Sequence, residues 1–280
     1  MRTASLPPAA LAFDAVATRF DERFGPWESV SAQRRAVRAA LAQAFPPGSR
    51  VLELGGGTGE DARWLAEHGR HVLLTDASPA MVRVSEQKLA GTSARARLCP
   101  AESLEALADE HAAAGEPPFD GAFSNFAGLN CVPDLSPVAR GLARLVRPGA
   151  SVMLVLFGPL PPGEIVTEVA RRRPGQAFRR LKRGDVPARL GGREFVVRYH
   201  RPREVDRVMA PWFRPVRRLG IGVFVPPSAA EPWISGHPRL LRAMEALDRV
   251  CARPLALLGD HLLFHYRRTD APPPEPRAAR

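Results

Sequence analysis

The ten residues Val51 to Glu60, VLELGGGTGE, constrain this chain more than any others. An apolar run closes on a carboxylate, Glu53, and then on glycines at every second position: Gly55, Gly57 and Gly59. The apolar part reads as a buried parallel strand and the glycines as a tight turn into a helix. Glycine there permits positive φ and lets a ligand touch the backbone. A dinucleotide fingerprint, G-x-G-x-x-G, requires its third glycine at position 60. Position 60 is Glu, and the glycine falls one residue early, at Gly59. A carboxylate two residues before the first glycine also repels a pyrophosphate. It suits a cationic ligand.

Periodicity sets this turn in an α/β chain. Residues 8–44 read as amphipathic helix, with Phe13, Val16, Phe20 and Phe24 at helical spacing and a second helix after Ser31. Strands are expected at 51–54, 71–75, 95–99, 119–124 and 151–157, with helices between them. Ser78-Pro79 and Ser136-Pro137 mark helix starts. Such alternation argues for a parallel sheet covered on both faces. After residue 157 the chain becomes rich in proline, glycine and arginine, with one helix expected at 164–173. A helix at 203–210, a strand at 216–225, a helical excursion and a last strand at 260–267 follow. The tail from Ala271 is proline-rich and expected to be disordered.

Charge is distributed unevenly. The 280 residues carry a formal net charge of +11, and residues 158–220 alone hold 16 Lys+Arg against 6 Asp+Glu. Nearly all the cations are arginine, a bias that a GC-rich genome also produces. A basic segment of this kind is either a solvated face or a means of steering an acidic substrate or surface. Cys99, Cys131 and Cys251 form no C-x-x-C pair, which points to a reducing, cytoplasmic setting without a metal site. No apolar run is long enough to span a bilayer, and Pro7, Pro8 and Asp14 break the N-terminal stretch, so no signal peptide is expected.

The pattern E-x-G-x-G-x-G resembles the first motif of class I S-adenosylmethionine (SAM)-dependent methyltransferases, and the order of elements over residues 10–268 is similar to theirs. The resemblance implies a Rossmann-like, seven-stranded, mostly parallel sheet with the last strand antiparallel, helices on both faces, and insertions after strands five and six. It implies a core at 49–157, a helical N-terminal lid at 1–48, a basic substrate cap at 158–200 and a C-terminal part at 201–268 with its own insertion at 226–258, before a tail at 269–280. By resemblance Glu53 faces the methionine ammonium, and Gly55, Gly57 and Gly59 pass under the cofactor. Asp76, with Ala77 beside it, ends strand two, where a carboxylate accepts both ribose hydroxyls. Met81 is placed to pack on the adenine. The family's G-D-A after strand three is here Cys99-Pro100-Ala101 followed by Glu102. The usual Asp is absent, which leaves the Ala101 N–H and the Glu102 carboxylate as adenine contacts.

Strand four ends in Ser124-Asn125-Phe126-Ala127-Gly128-Leu129-Asn130. By resemblance this segment passes beside the transferable methyl, with Asn125 near the cofactor and Phe126 and Asn130 lining the acceptor pocket. It is not the N-P-P-Y type used on exocyclic amino groups. The N-terminal F-D-x-x-A-x-x-F-D (Phe13, Asp14, Ala17, Phe20, Asp21) is similar to the lid of small-molecule and quinone-type methyltransferases, with Phe20 shielding the methionine moiety. Among His200, His237, His261 and His265, His200 is the candidate base because it sits beside Tyr199, a candidate substrate contact, where cap meets sheet. The expected acceptor is a small or lipid-like molecule; an acidic one is compatible with the basic segment, as is peripheral membrane contact. RNA is the alternative acceptor, disfavoured by few interleaved aromatics. A SAM-binding protein without methyl transfer and a NAD-dependent oxidoreductase are competing readings, the second opposed by Glu53 and Glu60.

Overall fold

A computed structural model describes residues 6–275. Nine strands form: β1 Arg50–Leu54, β2 His71–Asp76, β3 Ala94–Leu98, β4 Phe119–Ser124, β5 Val146–Phe157, β6 Asp185–Leu190, β7 Arg193–Arg198, β8 Phe213–Ile221 and β9 His261–Arg268. Seven make one sheet in the order β3-β2-β1-β4-β5-β9-β8. The pairings from β3 across to β5 are parallel, and β9 enters antiparallel between β5 and β8. The expected seven-stranded sheet with an antiparallel last strand is therefore present. Strand order reverses between β1 and β4, and ligands in open α/β sheets bind outside the carboxyl ends of the strands at such a point.

The helices are α1 Pro8–Asp14, α2 Phe20–Phe24, α3 Glu28–Ala44, α4 Glu60–Glu67, α5 Pro79–Leu89, α6 Leu104–Ala113, α7 Ser136–Leu145, α8 Pro162–Ala170, α9 Pro174–Ala177, α10 Pro202–Met209 and α11 Pro238–Cys251. Side chains of α3, α4 and α5 (Val37, Leu41, Leu65, Leu89) bury one face of the sheet. Those of α6, α7 and α10 (Leu104, Leu107, Leu142, Val205) bury the other. Strands covered on both faces explain the unbroken apolar run at 152–156 and the apolar residues Val51, Leu52 and Leu54 of β1. Ser78 caps α5 by accepting from Met81 N at 3.1 Å, with Pro79 in the first turn.

Several expectations are corrected. The amphipathic stretch 8–44 breaks into three helices, and the longest begins at Glu28 rather than after Ser31. The basic segment after β5 holds α8, α9 and a hairpin, β6 paired with β7, that periodicity alone does not reveal. Gly191 and Gly192 form its turn, both at positive φ, and Phe195 on β7 meets Phe13 of α1 with ring centroids 6.0 Å apart. The excursion after β8 packs Ile234 and Leu241 against Ala32 and so braces α3. Instead of being wholly loose, the start of the tail is tied down. Thr269 N donates to Trp212 O, and Trp212 Nε1 donates to Pro272 O at 3.2 Å. Residues 276–280 lie outside the described residues. No described helix is long and apolar enough to cross a membrane.

Candidate functional site

Glu53 sits at the carboxyl end of β1, buried, and its Oε2 has no hydrogen-bond partner among the described residues. Eight residues on, in the first turn of α4, the buried carboxylate of Asp61 is fully engaged: Arg34 Nη1 donates at 2.8 Å, Arg38 Nε at 2.7 Å and Asn125 Nδ2 at 2.7 Å. The two acids diverge accordingly. Burial, then repulsion from Asp61, raises the Glu53 carboxyl well above the usual carboxylate range, and Arg34 only partly offsets this. Burial also pushes Asp61 up, but the two guanidinium groups and the Asn125 amide outweigh it and hold Asp61 low. A carboxylate with a bare oxygen beside a glycine turn fits an incoming cation.

The turn itself is shaped for close approach. Gly55, Gly57 and Gly59 have φ of 62°, 56° and 84°. A Cβ on Gly57 would meet nothing within 4 Å, so the loop presents open space there. Gly56, which the alternating pattern passes over, is needed for packing. A Cβ on it would lie 2.5 Å from Leu74 Cδ1 and 2.9 Å from Glu53 Cδ. Asp76 closes the loop from the end of β2: its Oδ2 accepts from Gly57 N at 2.9 Å and its Oδ1 from Ser78 N at 2.8 Å. Burial raises its carboxyl despite these two N–H groups. Ala77 is half-buried beside it, Ala101 opens a short helical turn after β3, and Glu102 is exposed on that turn. Cys131 is an unforeseen neighbour. Burial, then the nearby charges of Asp76 and Glu102, pushes its thiol up to about 12.

The N-terminal segment is anchored over this loop by the two aspartates of its F-D pairs. Asp14 Oδ1 accepts from Ala80 N (2.7 Å) and Ser78 Oγ (2.9 Å). Asp21 accepts from Thr58 Oγ1 of the glycine loop and from Lys88 Nζ, both at 2.6 Å. Phe13 and Phe20 pack on Ala17, Ala80 and Met81. Met81 is thus buried beneath this segment, 1% exposed, rather than standing open.

After β4 the backbone is strained: Phe126 and Ala127 adopt φ of 48° and 58° although neither is glycine. This turn sets Gly128 against Gly55 and leaves the Phe126 ring under the Arg34 guanidinium, 4.6 Å from its centroid. Phe126 also meets His261, which stacks on Phe157, which in turn packs on Tyr199 (centroids 5.7, 5.4 and 5.6 Å). An aromatic wall therefore lines the carboxyl ends of β4 and β5. Behind it, buried Arg180 lies over Phe157 and bonds Asp260 Oδ1 at 2.7 Å and Glu164. One of the most conspicuous cations of the basic segment is therefore internal.

Three expected site residues are spent elsewhere. Asn125 donates to Asp61 and accepts from Phe126 N at 2.8 Å, holding the strained turn. Asn130 accepts from Phe157 N at 3.0 Å and donates to Arg198 O at 2.6 Å, tying β5 to the hairpin instead of facing an acceptor. His200 Nε2 bonds Val132 O at 2.9 Å, and burial lowers its basicity, with the Val132 carbonyl opposing. That ring pins the hairpin to the turn after β4. His265 lies mid-sheet against Ser151 with its imidazole pushed down to about 4, and His237 caps a surface turn.

The family model described as a methyltransferase domain matches residues 51–149. The chain is 31% identical over 255 residues to a malonyl-(acyl-carrier protein) O-methyltransferase of Halorhodospira halophila, covering 85% of this chain and 76% of the relative. It is 30% identical over 131 residues to a demethylmenaquinone methyltransferase of Clavibacter sepedonicus, covering 46% of this chain and 50% of that one. The solved CcbJ methyltransferase of Streptomyces caelestis superposes with a TM-score of 0.57 at 18% identity, over 92% of this chain and 98% of its own. This chain belongs to the class I SAM-dependent methyltransferases. Its cofactor is SAM, and it is an enzyme of methyl transfer.

Because Asn130 holds two backbone groups across three segments, Asn130→Ala should cost about 2–4 kcal/mol of stability. The urea midpoint should fall accordingly, and an unchanged midpoint would contradict the stapling role.

Proposed function

We propose that the chain methylates a small, flat acceptor carrying an acidic or hydroxyl group, held against the wall of Phe126, Phe157 and Tyr199 at the carboxyl edge of the sheet. The observation that carries this reading is the contrast between Glu53 and Asp61. One buried carboxylate is neutralised by two arginines, and the other keeps a bare oxygen at the mouth of the glycine turn. In this reading Glu53 takes the methionine ammonium, Gly55 and Gly57 lie under the cofactor, and Asp76 exchanges its Gly57 bond for the ribose hydroxyls. Ala77, Met81, Ala101, Glu102 and Cys131 border the adenosine, and Phe20 closes the N-terminal segment as a lid. Bound there, SAM supplies a methyl made electrophilic by its positive sulfur.

The protein's part is to align the acceptor and exclude water. The lid and the hairpin serve exclusion, because Phe13 and Phe195 meet above the site. Arg34, over the Phe126 ring, and Arg179 flank the wall, but each is paired with a carboxylate, Asp61 and Glu164, so the wall itself offers an aromatic rather than a strongly cationic surface. Of the two curated relatives, the one named for demethylmenaquinone agrees with a small acceptor, and the one named for malonyl-(acyl-carrier protein) with an acidic acyl group carried on a protein. RNA fits this aromatic-lined edge, which has no long basic track among the described residues, less well.

Incubating the enzyme with isotopically labelled SAM and a cell extract, followed by mass spectrometry, should reveal a labelled small-molecule product; label confined to RNA would refute the reading. Asp76→Ala and Gly57→Val should each weaken SAM binding at least about tenfold, about 1.4 kcal/mol. Calorimetry finding unchanged affinity in folded variants would overturn the cofactor assignment.

A further inference from the structure

Methylation of a hydroxyl releases a proton, and one buried ring is arranged to take it. His261 opens β9, in register with Phe157 at the end of β5 and Ile221 at the end of β8. It therefore stands at the same edge of the sheet as the glycine turn. Its ring stacks on Phe157 with an interplanar angle of 22° and receives Phe126 edge-on at 87°. Nδ1 lies 3.1 Å from Gln33 Oε1 and 3.5 Å from Asp260 Oδ2. Gln33 Nε2 donates to the same Asp260 oxygen at 3.2 Å, which turns the amide so that its carbonyl faces the ring. Both neighbours of Nδ1 are acceptors, so Nδ1 carries the proton and Nε2 keeps a lone pair. Among the described residues Nε2 has no protein partner.

We propose that His261 is the general base of the transfer, positioned by Gln33 and Asp260, for an acceptor that gives up a proton, a hydroxyl in the simplest case. This rests on the methyl-transfer reading above. In the step, a lone pair of the acceptor oxygen forms the new O–C bond. The bond between methyl and sulfur breaks with its electron pair staying on sulfur. The hydroxyl proton passes to Nε2, and the resulting imidazolium returns it to solvent. Charged groups face the ring from three directions: Asp260 just before its own strand, Arg180 from the turn at 179–181, and Glu164 of α8 beyond Arg180. Burial lowers the basicity of His261, Asp260 opposes this, and Arg180 adds to it. The net shift is downward, which leaves the ring neutral and able to accept a proton at neutral pH.

The test uses the full chain labelled with 15N-histidine and saturated with S-adenosylhomocysteine, its ring signals assigned through the β9 backbone. At pH 7 the wild-type His261 should be neutral with Nδ1 protonated and Nε2 bare, and Gln33→Leu should weaken that preference. His261→Asn should bind SAM as wild type does by calorimetry. Its transfer of label from SAM to acceptors in a cell extract should fall about a hundredfold or more. That residual transfer should keep rising with pH where the wild type has levelled off. A proton on Nε2 in the wild type, or label transfer by His261→Asn within about twofold of wild type, would overturn the proposal. Failure of the wild type to bind SAM would instead sink the reading beneath it, and calorimetry registers that separately.

Discussion

The structure turns on two buried carboxylates that share one pair of arginines unequally. Arg34 and Arg38, one turn apart on α3, both reach Asp61, and Asn125 completes its coordination. Glu53, near the carboxyl end of β1, receives no such bond on Oε2. Removing a carboxylate from water without a partner is costly, so the group shifts toward its neutral form. Glu53 therefore stores an unfavourable desolvation that a cation relieves. The same arginine pair links α3 to the start of α4 and, through Asn125 and the Phe126 ring, to the strained turn after β4.

The N-terminal segment and the cap belong to the same construction. Asp14 meets the N-terminal turn of α5, where unpaired N–H groups favour a carboxylate. Asp21 joins the glycine loop through Thr58. The hairpin of β6 and β7 then leans on α1, and Arg180 ties α8 and α9 to Asp260 at the entry of β9. The covering elements are held by charged or polar contacts at the rim together with small apolar clusters, such as Phe13 and Phe20 on Met81 and Phe195 on Phe13.

Much of the fold was legible in the sequence, because parallel strands buried on both faces leave apolar runs of strand length and a glycine turn is conspicuous. The seven sheet strands lie close to where periodicity places them. The hairpin at 185–198 was hidden because β6, although Val186, Ala188 and Leu190 alternate, is short and carries Pro187, and β7 does not alternate at all. The end of α3 at Ala44 was legible from Pro46-Pro47-Gly48, whereas the break between α1 and α2 was not, since nothing in the F-D repeats announces it. At the site, Glu53 and Asp76 stand where the motif puts them. The histidine assignment depended on which ring is held by backbone carbonyls and which by a carboxylate, and that is a property of tertiary packing. Gln33 and Asp260 are 227 residues apart, and no local pattern connects them.

The central claim is that Glu53, its carboxyl raised by burial and by Asp61, waits for a positive group. Calorimetry of SAM binding near pH 6, repeated in buffers of different ionisation enthalpy, measures the protons exchanged. The α-amino group of SAM stays protonated there, its ordinary pKa being about 8. Binding should then release protons from Glu53 in the wild type and release none in Glu53→Gln. Proton release that is absent in the wild type, or that persists in Glu53→Gln, would contradict the account.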